Sequence, residues 1–205
     1  MWARIQWIVV LILAVVLLGL LFWNPAPDGK GRRNTLDIAE APTGGDFVLR
    51  SADGPVALRD LRGKVVVLYF GYTWCPDICP TSLGYLSAAL EQLTADELAR
   101  VQPIFISVDP ERDTPKRLKE YAAYFHPAII GLTGTPEELA EVARRYGAAY
   151  RKTQEKDSAM GYVIDHSADL YLIDEKGRLA KTLPHGTPPD KIAAALKALL
   201  ARRGK

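Results

Sequence analysis

Val65-Val66-Val67-Leu68-Tyr69-Phe70-Gly71-Tyr72-Thr73-Trp74-Cys75-Pro76-Asp77-Ile78-Cys79-Pro80 joins an apolar run to a short loop holding both cysteines of the chain. The run has the length and composition of a strand buried on both faces. Beyond it, Leu83, Leu86, Ala89, Leu90 and Leu93 recur at helical spacing, so a helix is expected to carry the chain back across a sheet. A strand that ends in a loop and restarts as a helix delivers side chains to an open sheet edge, where α/β proteins do their chemistry. The two thiols belong to that edge.

Proline placement refines this. Inside a helix Pro80 would lose a backbone hydrogen bond and collide with the carbonyl of Pro76, so it is expected to open the helix as its first residue. Cys79 then lies at the helix N-terminus and Cys75 in the loop before it. The positive end of the helix dipole favours thiolates, the form that attacks disulfides and binds soft metals. A purely structural bridge would contribute little here. Closing a loop of about five residues is worth roughly 2 kcal/mol, against about 4.7 for a loop of roughly 100. Thiol exchange and metal binding both remain open.

Working outward, the 205 residues leave room for one domain with a sizeable core after an apolar N-terminus. A formal charge of +2, with acids and bases interspersed, provides no long basic stripe and argues against nucleic-acid binding. Residues 5–23 are apolar apart from Gln6, and as a helix would span about 28 Å of a hydrocarbon core about 30 Å thick. Trp2, Trp7 and Trp23 stand at its ends, where amphipathic rings favour the interface. The run closes on Leu20-Leu21-Phe22-Trp23 instead of small cleavage-site residues, so residues 1–23 are expected to be an uncleaved transmembrane anchor. Residues 24–44, which begin with a stretch rich in Pro, Gly and charge, read as a flexible tether, and residues 45–205 as the domain. Arg4 on one side and Lys30, Arg32 and Arg33 on the other do not choose an orientation.

Within the domain, residues 47–49 and 56–58, joined through Ser51-Ala52-Asp53-Gly54, form a β-hairpin pattern. A parallel strand is expected over residues 103–108, and a helix over residues 115–125 with Asp113 or Thr114 as cap. A short strand at residues 129–132 precedes a helix at residues 136–146. Residues 170–173 and 179–183 make a second hairpin across Asp174-Glu175-Lys176-Gly177, and residues 192–200 a closing amphipathic helix. The order indicates a mixed α/β sheet.

Two thiolates are a low coordination number, and three histidines are present. His126 ends a helix beside Pro127 and reads as a cap or surface residue. His185 lies in the loop Leu183-Pro184-His185-Gly186-Thr187-Pro188. His166 precedes the strand at residues 170–173 and reads as part of a connection, with Asp165 able to orient its imidazole. A Cys2His set suits copper in either oxidation state. Zinc fits less well, since its structural sites normally take four protein ligands. Met160 reads as a loop packing residue. Asp109 and Arg112 stand at a strand's C-terminal end, where turn and cap chemistry accounts for them.

Gly71-Tyr72-Thr73-Trp74-Cys75-Pro76-Asp77-Ile78-Cys79-Pro80, then Ser107-Val108-Asp109-Pro110-Glu111-Arg112-Asp113-Thr114-Pro115, then Val163-Ile164-Asp165-His166-Ser167 together resemble the Sco/SenC family over roughly residues 45–200. The resemblance implies an α/β, thioredoxin-like fold with an added N-terminal β-hairpin, preceded by one transmembrane helix. It implies a single-pass inner-membrane protein facing the periplasm in bacteria, or the intermembrane space in mitochondria. A copper ion held by Cys75, Cys79 and His166 is implied, as is delivery to the dinuclear copper site of a cytochrome c oxidase subunit during assembly. Such a protein is a metallochaperone more than an enzyme. The alternative is a thiol-disulfide oxidoreductase that uses Cys75 and Cys79 as a redox pair to keep that subunit's cysteines reduced. Related thioredoxin-like proteins generally have two residues between their cysteines, and the three found here favour metal.

Overall fold

Ser51-Ala52-Asp53-Gly54 turns the chain between β1 (Val48–Ser51) and β2 (Gly54–Ala57), which pair antiparallel with Ser51 opposite Gly54. Gly54 has a φ of 124°, a value L side chains rarely adopt, and this is why a glycine closes the turn. This computed structural model describes residues 42–154 and 161–202, together with Trp2 and Leu18. The chain divides into two units, Met1–Ala39 and Glu40–Lys205, and the architecture below is that of the second. Apart from Trp2 and Leu18, the expected anchor lies outside the described residues, as do most of the expected tether and Met160. Among the described residues no helix is long and apolar enough to cross a membrane.

A 3-10 turn at Leu58–Leu61 leads into β3 (Val65–Gly71), all seven residues of which are buried. The helix α1 (Ile78–Leu90), the short helix α2 (Ala95–Ala99) and β4 (Val101–Ser107) follow, with β4 parallel to β3. Next come α3 (Pro115–Phe125), β5 (Ile130–Leu132) parallel to β4, and α4 (Pro136–Tyr146). A separate two-stranded sheet, β6 (Tyr150–Gln154) with β7 (Tyr162–His166), precedes β8 (Leu170–Ile173), β9 (Leu179–Leu183) and α5 (Pro189–Leu200). The main sheet has the order β5-β4-β3-β8-β9, with β8 antiparallel to β3 and β9 antiparallel to β8. This is a thioredoxin-like α/β fold with an N-terminal hairpin.

Strand periodicity sorts the core into two layers. Val65, Val67 and Tyr69 face Leu83, Leu86 and Leu90 of α1, Leu118 of α3 and Leu196 of α5. Val66, Leu68 and Phe70 face Phe47, just before β1, Leu49 of β1, and Leu139 and Tyr146 of α4. Each such aliphatic or aromatic side chain contributes about 1.5–3 kcal/mol on full burial, so β3 is clamped from both sides.

Helix ends follow cap chemistry. Thr114, not Asp113, caps α3 by accepting from Arg117 N, and Thr135 with Glu138 forms a capping box ahead of Pro136. Thr94 and Glu97 form another box for α2, an element the apolar spacing did not reveal. Two expectations are corrected. α1 begins at Ile78, so Pro80 is its third residue, because no amide in a first turn has an intrahelical acceptor to lose. His166 lies on β7 instead of in a connection, since residues 150–154 and 162–166 pair as a hairpin.

Candidate metal centre

The thiol loop starts where β3 stops. Gly71 accepts from Val108 N at 2.9 Å, holding the end of β3 to the segment after β4. An added Cβ at Gly71 would stand 2.5 Å from Cys79 Sγ and 2.9 Å from Phe105, so the strand ends in glycine because the sulfur occupies that space. Cys79 is fully buried in the first turn of α1, and Cys75 is half-buried in the loop. Asp77, the residue before α1, makes no side-chain cap hydrogen bond. Instead the Cys79 amide donates to Cys75 Sγ at 3.4 Å, so the sulfur takes part of the capping role.

The two thiols are unequal. Cys75 is held down at about 3, chiefly by a hydrogen bond from the Cys79 side chain, against its own burial, with help from His166 and from the amides of Cys79 and Asp77. Burial, and then the neighbouring Cys75, push the Cys79 thiol upward. The expected dipole effect is therefore realised at Cys75, where amides point at an accessible sulfur, while desolvation overrides it at Cys79.

His166 arrives from the far side on β7. Its Nε2 lies 3.3 Å from Cys79 Sγ, and its Nδ1 lies 3.0 Å from the Ser167 carbonyl oxygen. A carbonyl has no proton to give, so Nδ1 donates to it and Nε2 is the ring nitrogen left facing the sulfurs, the one that would bind a metal. The ring packs edge-on against Tyr69 and Tyr72. Ligand atoms of Cys75, Cys79 and His166 all lie within 4.8 Å of one another. Two soft sulfurs and one imidazole nitrogen are a donor set suited to copper. A cleft of about 350 Å³ opens over them, lined by Tyr72, Pro76, Ile78 and Val163 among others.

The other candidates fall elsewhere. Asp165 does not orient the imidazole: its carboxylate is exposed and accepts from Arg151 and Thr153. His126 is nearly buried at the end of α3, with Nδ1 accepting from Ala128 N. His185 is exposed, with its Nδ1 2.9 Å from Ser82 Oγ, and is not part of the ligand cluster. Asp109 and Arg112 bond to each other and to Tyr162, beside the centre but outside it. Two contributors had escaped the sequence reading. Tyr72 Oη accepts the Ile164 amide, and Ser167 supplies the carbonyl that sets the tautomer. Tyr72 lay in plain view beside the thiols, whereas nothing in the sequence marks a backbone carbonyl.

A thioredoxin-like sheet edge bearing two unequal thiols and an imidazole defines a soft-metal or thiol-redox protein. The chain belongs to the SCO1/SenC family, whose model matches residues 37–201. It is 45% identical over 156 residues to "Protein SCO1 homolog 1, mitochondrial" of Arabidopsis thaliana, covering 73% of this chain and 46% of that protein. It thus spans about half the length of that curated relative. A crystal structure of Arabidopsis thaliana ScoI with copper bound matches at TM-score 0.71 and 42% identity, covering 78% of this chain and 98% of the other. BsSco is described as having a disulfide switch and as a member of the Sco family of cytochrome c oxidase assembly proteins. It matches at TM-score 0.62 and 28% identity, covering 78% and 95% of the two chains.

Proposed function

We propose that this chain carries copper as cargo, binding it through Cys75, Cys79 and His166 and delivering it to the dinuclear copper site of cytochrome c oxidase during assembly. The observation that carries the reading is the meeting of three soft-metal donors, from segments 87 residues apart, within 4.8 Å. The copper-bound Arabidopsis relative supports it. Cys75 binds as a thiolate already formed, Cys79 gives up its proton on capture, and Nε2 of His166 supplies the third bond and suits Cu(II) as well as Cu(I). The half-buried Cys75 faces the cleft, where a partner's thiol displaces it first, so the metal passes by ligand exchange without being released. In this reading residues 5–23 anchor the chain in a membrane, with the domain of residues 45–205 in the periplasm or intermembrane space.

Anaerobic titration of the reduced full-length chain with Cu(I) tests this. One tightly held copper per chain is expected. His166→Ala should weaken Cu(II) binding beyond the roughly 100-fold that losing an outer partner costs, with a smaller loss for Cu(I). Unchanged copper affinity in that variant would end the three-ligand reading.

One observation favours a second reading. An accessible, deprotonated Cys75 beside a buried, protonated Cys79 is the arrangement of an attacking and a resolving thiol. The family relative with a disulfide switch points the same way. If oxidase assembly survives His166→Ala but fails in Cys75→Ser, thiol-disulfide exchange with the oxidase subunit becomes the main activity.

A further inference from the structure

The copper reading leaves Ser107-Val108-Asp109-Pro110-Glu111-Arg112-Asp113 without a task. This segment supplies no ligand, yet it holds two carboxylates that are almost completely buried, Asp109 and Asp113. Buried charges are retained only where they are paired and hydrogen-bonded. Their partners belong to the two segments that carry the ligands, the thiol loop and the strand that ends in His166. Asp113 accepts from the Thr73 amide at 2.9 Å, from Thr73 Oγ1 and from Ser107 Oγ at 2.6 Å, which ties it to the loop two residues before Cys75. Asp109 accepts from the Tyr162 hydroxyl at 2.7 Å and from Arg112 Nε. Arg112 also donates to the Tyr162 carbonyl at 3.1 Å, and its guanidinium lies 3.6 Å from the Tyr162 ring centroid. Tyr162 begins the strand that ends in His166.

The need for such a link follows from topology. Cys75 and Cys79 are fixed by β3 and α1, which belong to the main sheet and its core. Among the described residues, β6 and β7 pair only with each other, so no ladder sets the height of His166 over the thiols. Side chains must do so. We infer that residues 107–113 form a brace that holds the thiol loop through Asp113 and the His166 hairpin through Asp109 and Arg112, thereby fixing the distance between the sulfurs and the imidazole. Asp109, Arg112 and Asp113 are positioning residues and touch no ligand atom. The inference rests on the copper reading only for its consequence, the availability of the third donor. The brace itself is a property of the metal-free fold.

The test therefore has two readouts on the full-length chain. Without metal, Arg112→Met should speed exchange of the Ile164 amide hydrogen at least about tenfold while leaving the amide of Leu68 in β3 unchanged. With metal, the same variant should lose Cu(II) affinity about tenfold more than Cu(I) affinity, and the nitrogen coupling in its Cu(II) resonance spectrum should collapse. Arg112→Lys keeps the charge beside Asp109 but not the flat guanidinium over Tyr162, and should recover part of both effects. Asp113→Asn loosens the other arm, exposing the Thr73 amide to exchange and lowering Cu(I) and Cu(II) affinity together. Should Arg112→Met fail to fold, Tyr162→Phe removes a single hydroxyl and should show the same pattern at smaller size. Wild-type Ile164 exchange in a folded Arg112→Met or Tyr162→Phe overturns the brace, and so does an equal loss of the two copper affinities. A wild-type chain that binds no copper, with faster Ile164 exchange in the variant, overturns the copper reading and leaves the brace standing.

Discussion

The two halves of the metal centre are built in different ways. Cys79 is part of the core: it is completely buried, packed beneath β3 and pressed against the Cα of Gly71. His166 sits on a two-stranded hairpin with exposed Arg151 and Lys152, outside the five-stranded sheet. Its neighbours are two tyrosine rings, one carbonyl and the two cysteine sulfurs. The thiol half inherits the stability of the domain, while the histidine half lies outside the main sheet and is expected to open at lower cost. On the proposed copper-carrier reading, the metal would thus have one fixed end and one end that can yield.

The largest effect concerns the thiols themselves. Because Cys75 is held at about 3, its thiolate is complete from pH 5 to pH 8, and its alkylation by iodoacetamide should be nearly flat over that range in the metal-free chain. An ordinary cysteine with a pKa of about 8.5 gains several hundredfold in thiolate over the same interval. The sign follows from the downward shift: reactivity is lost only as the pH falls towards about 3. Cys79, buried and pushed upward, should remain unlabelled throughout, as peptide mass spectrometry can establish. Equal labelling of both would break the contrast at its root.

Next in size are two glycine substitutions, one in each half. Gly71→Ala forces a methyl group against Cys79 Sγ and Phe105, and should cost about 1–3 kcal/mol of overpacking in urea unfolding while shifting the sulfur. Gly161→Ala, just before the second strand of the histidine hairpin, meets nothing within 4 Å among the described residues and pays for its φ of 69°, about 1 kcal/mol. If Gly161→Ala proved the more damaging, the hairpin would be the stiffer half. The smallest effect belongs to Asp165. Its exposed carboxylate bonds Arg151 and Thr153 and turns away from the imidazole, so Asp165→Asn should leave copper affinity and melting temperature unchanged within error. A marked loss of copper would show that Asp165 reaches the centre after all.

Legibility in the sequence follows the same division. β3 was visible because a strand buried on both faces must be apolar at every position, and α4 because a proline sits in its first turn and its capping threonine and apolar stripe fall at helical offsets. The thiols could be placed to within one turn of a helix. Proline alone did not locate the start of α1, since any first-turn position spares it a lost hydrogen bond. The hairpin was hidden for the opposite reason: Tyr150-Arg151-Lys152-Thr153-Gln154 is polar, its outer face is solvated and it pairs with no strand of the main sheet. The nearness of His166 to the cysteines came from the family resemblance, not from spacing. The direction in which Asp165 points was decided by its cross-strand partners Arg151 and Thr153, which become its neighbours only once β6 and β7 are paired.

One feature of Cys75 reaches beyond the site. Its side chain packs against both hydrophobic layers, the one that holds Leu86 and the one that holds Leu139. A carbon-13 resonance from its β-carbon is therefore a single spectroscopic gauge of packing on both sides of the sheet. Substitutions made far apart, one under α1 and one under α4, should register as displacements of the same signal.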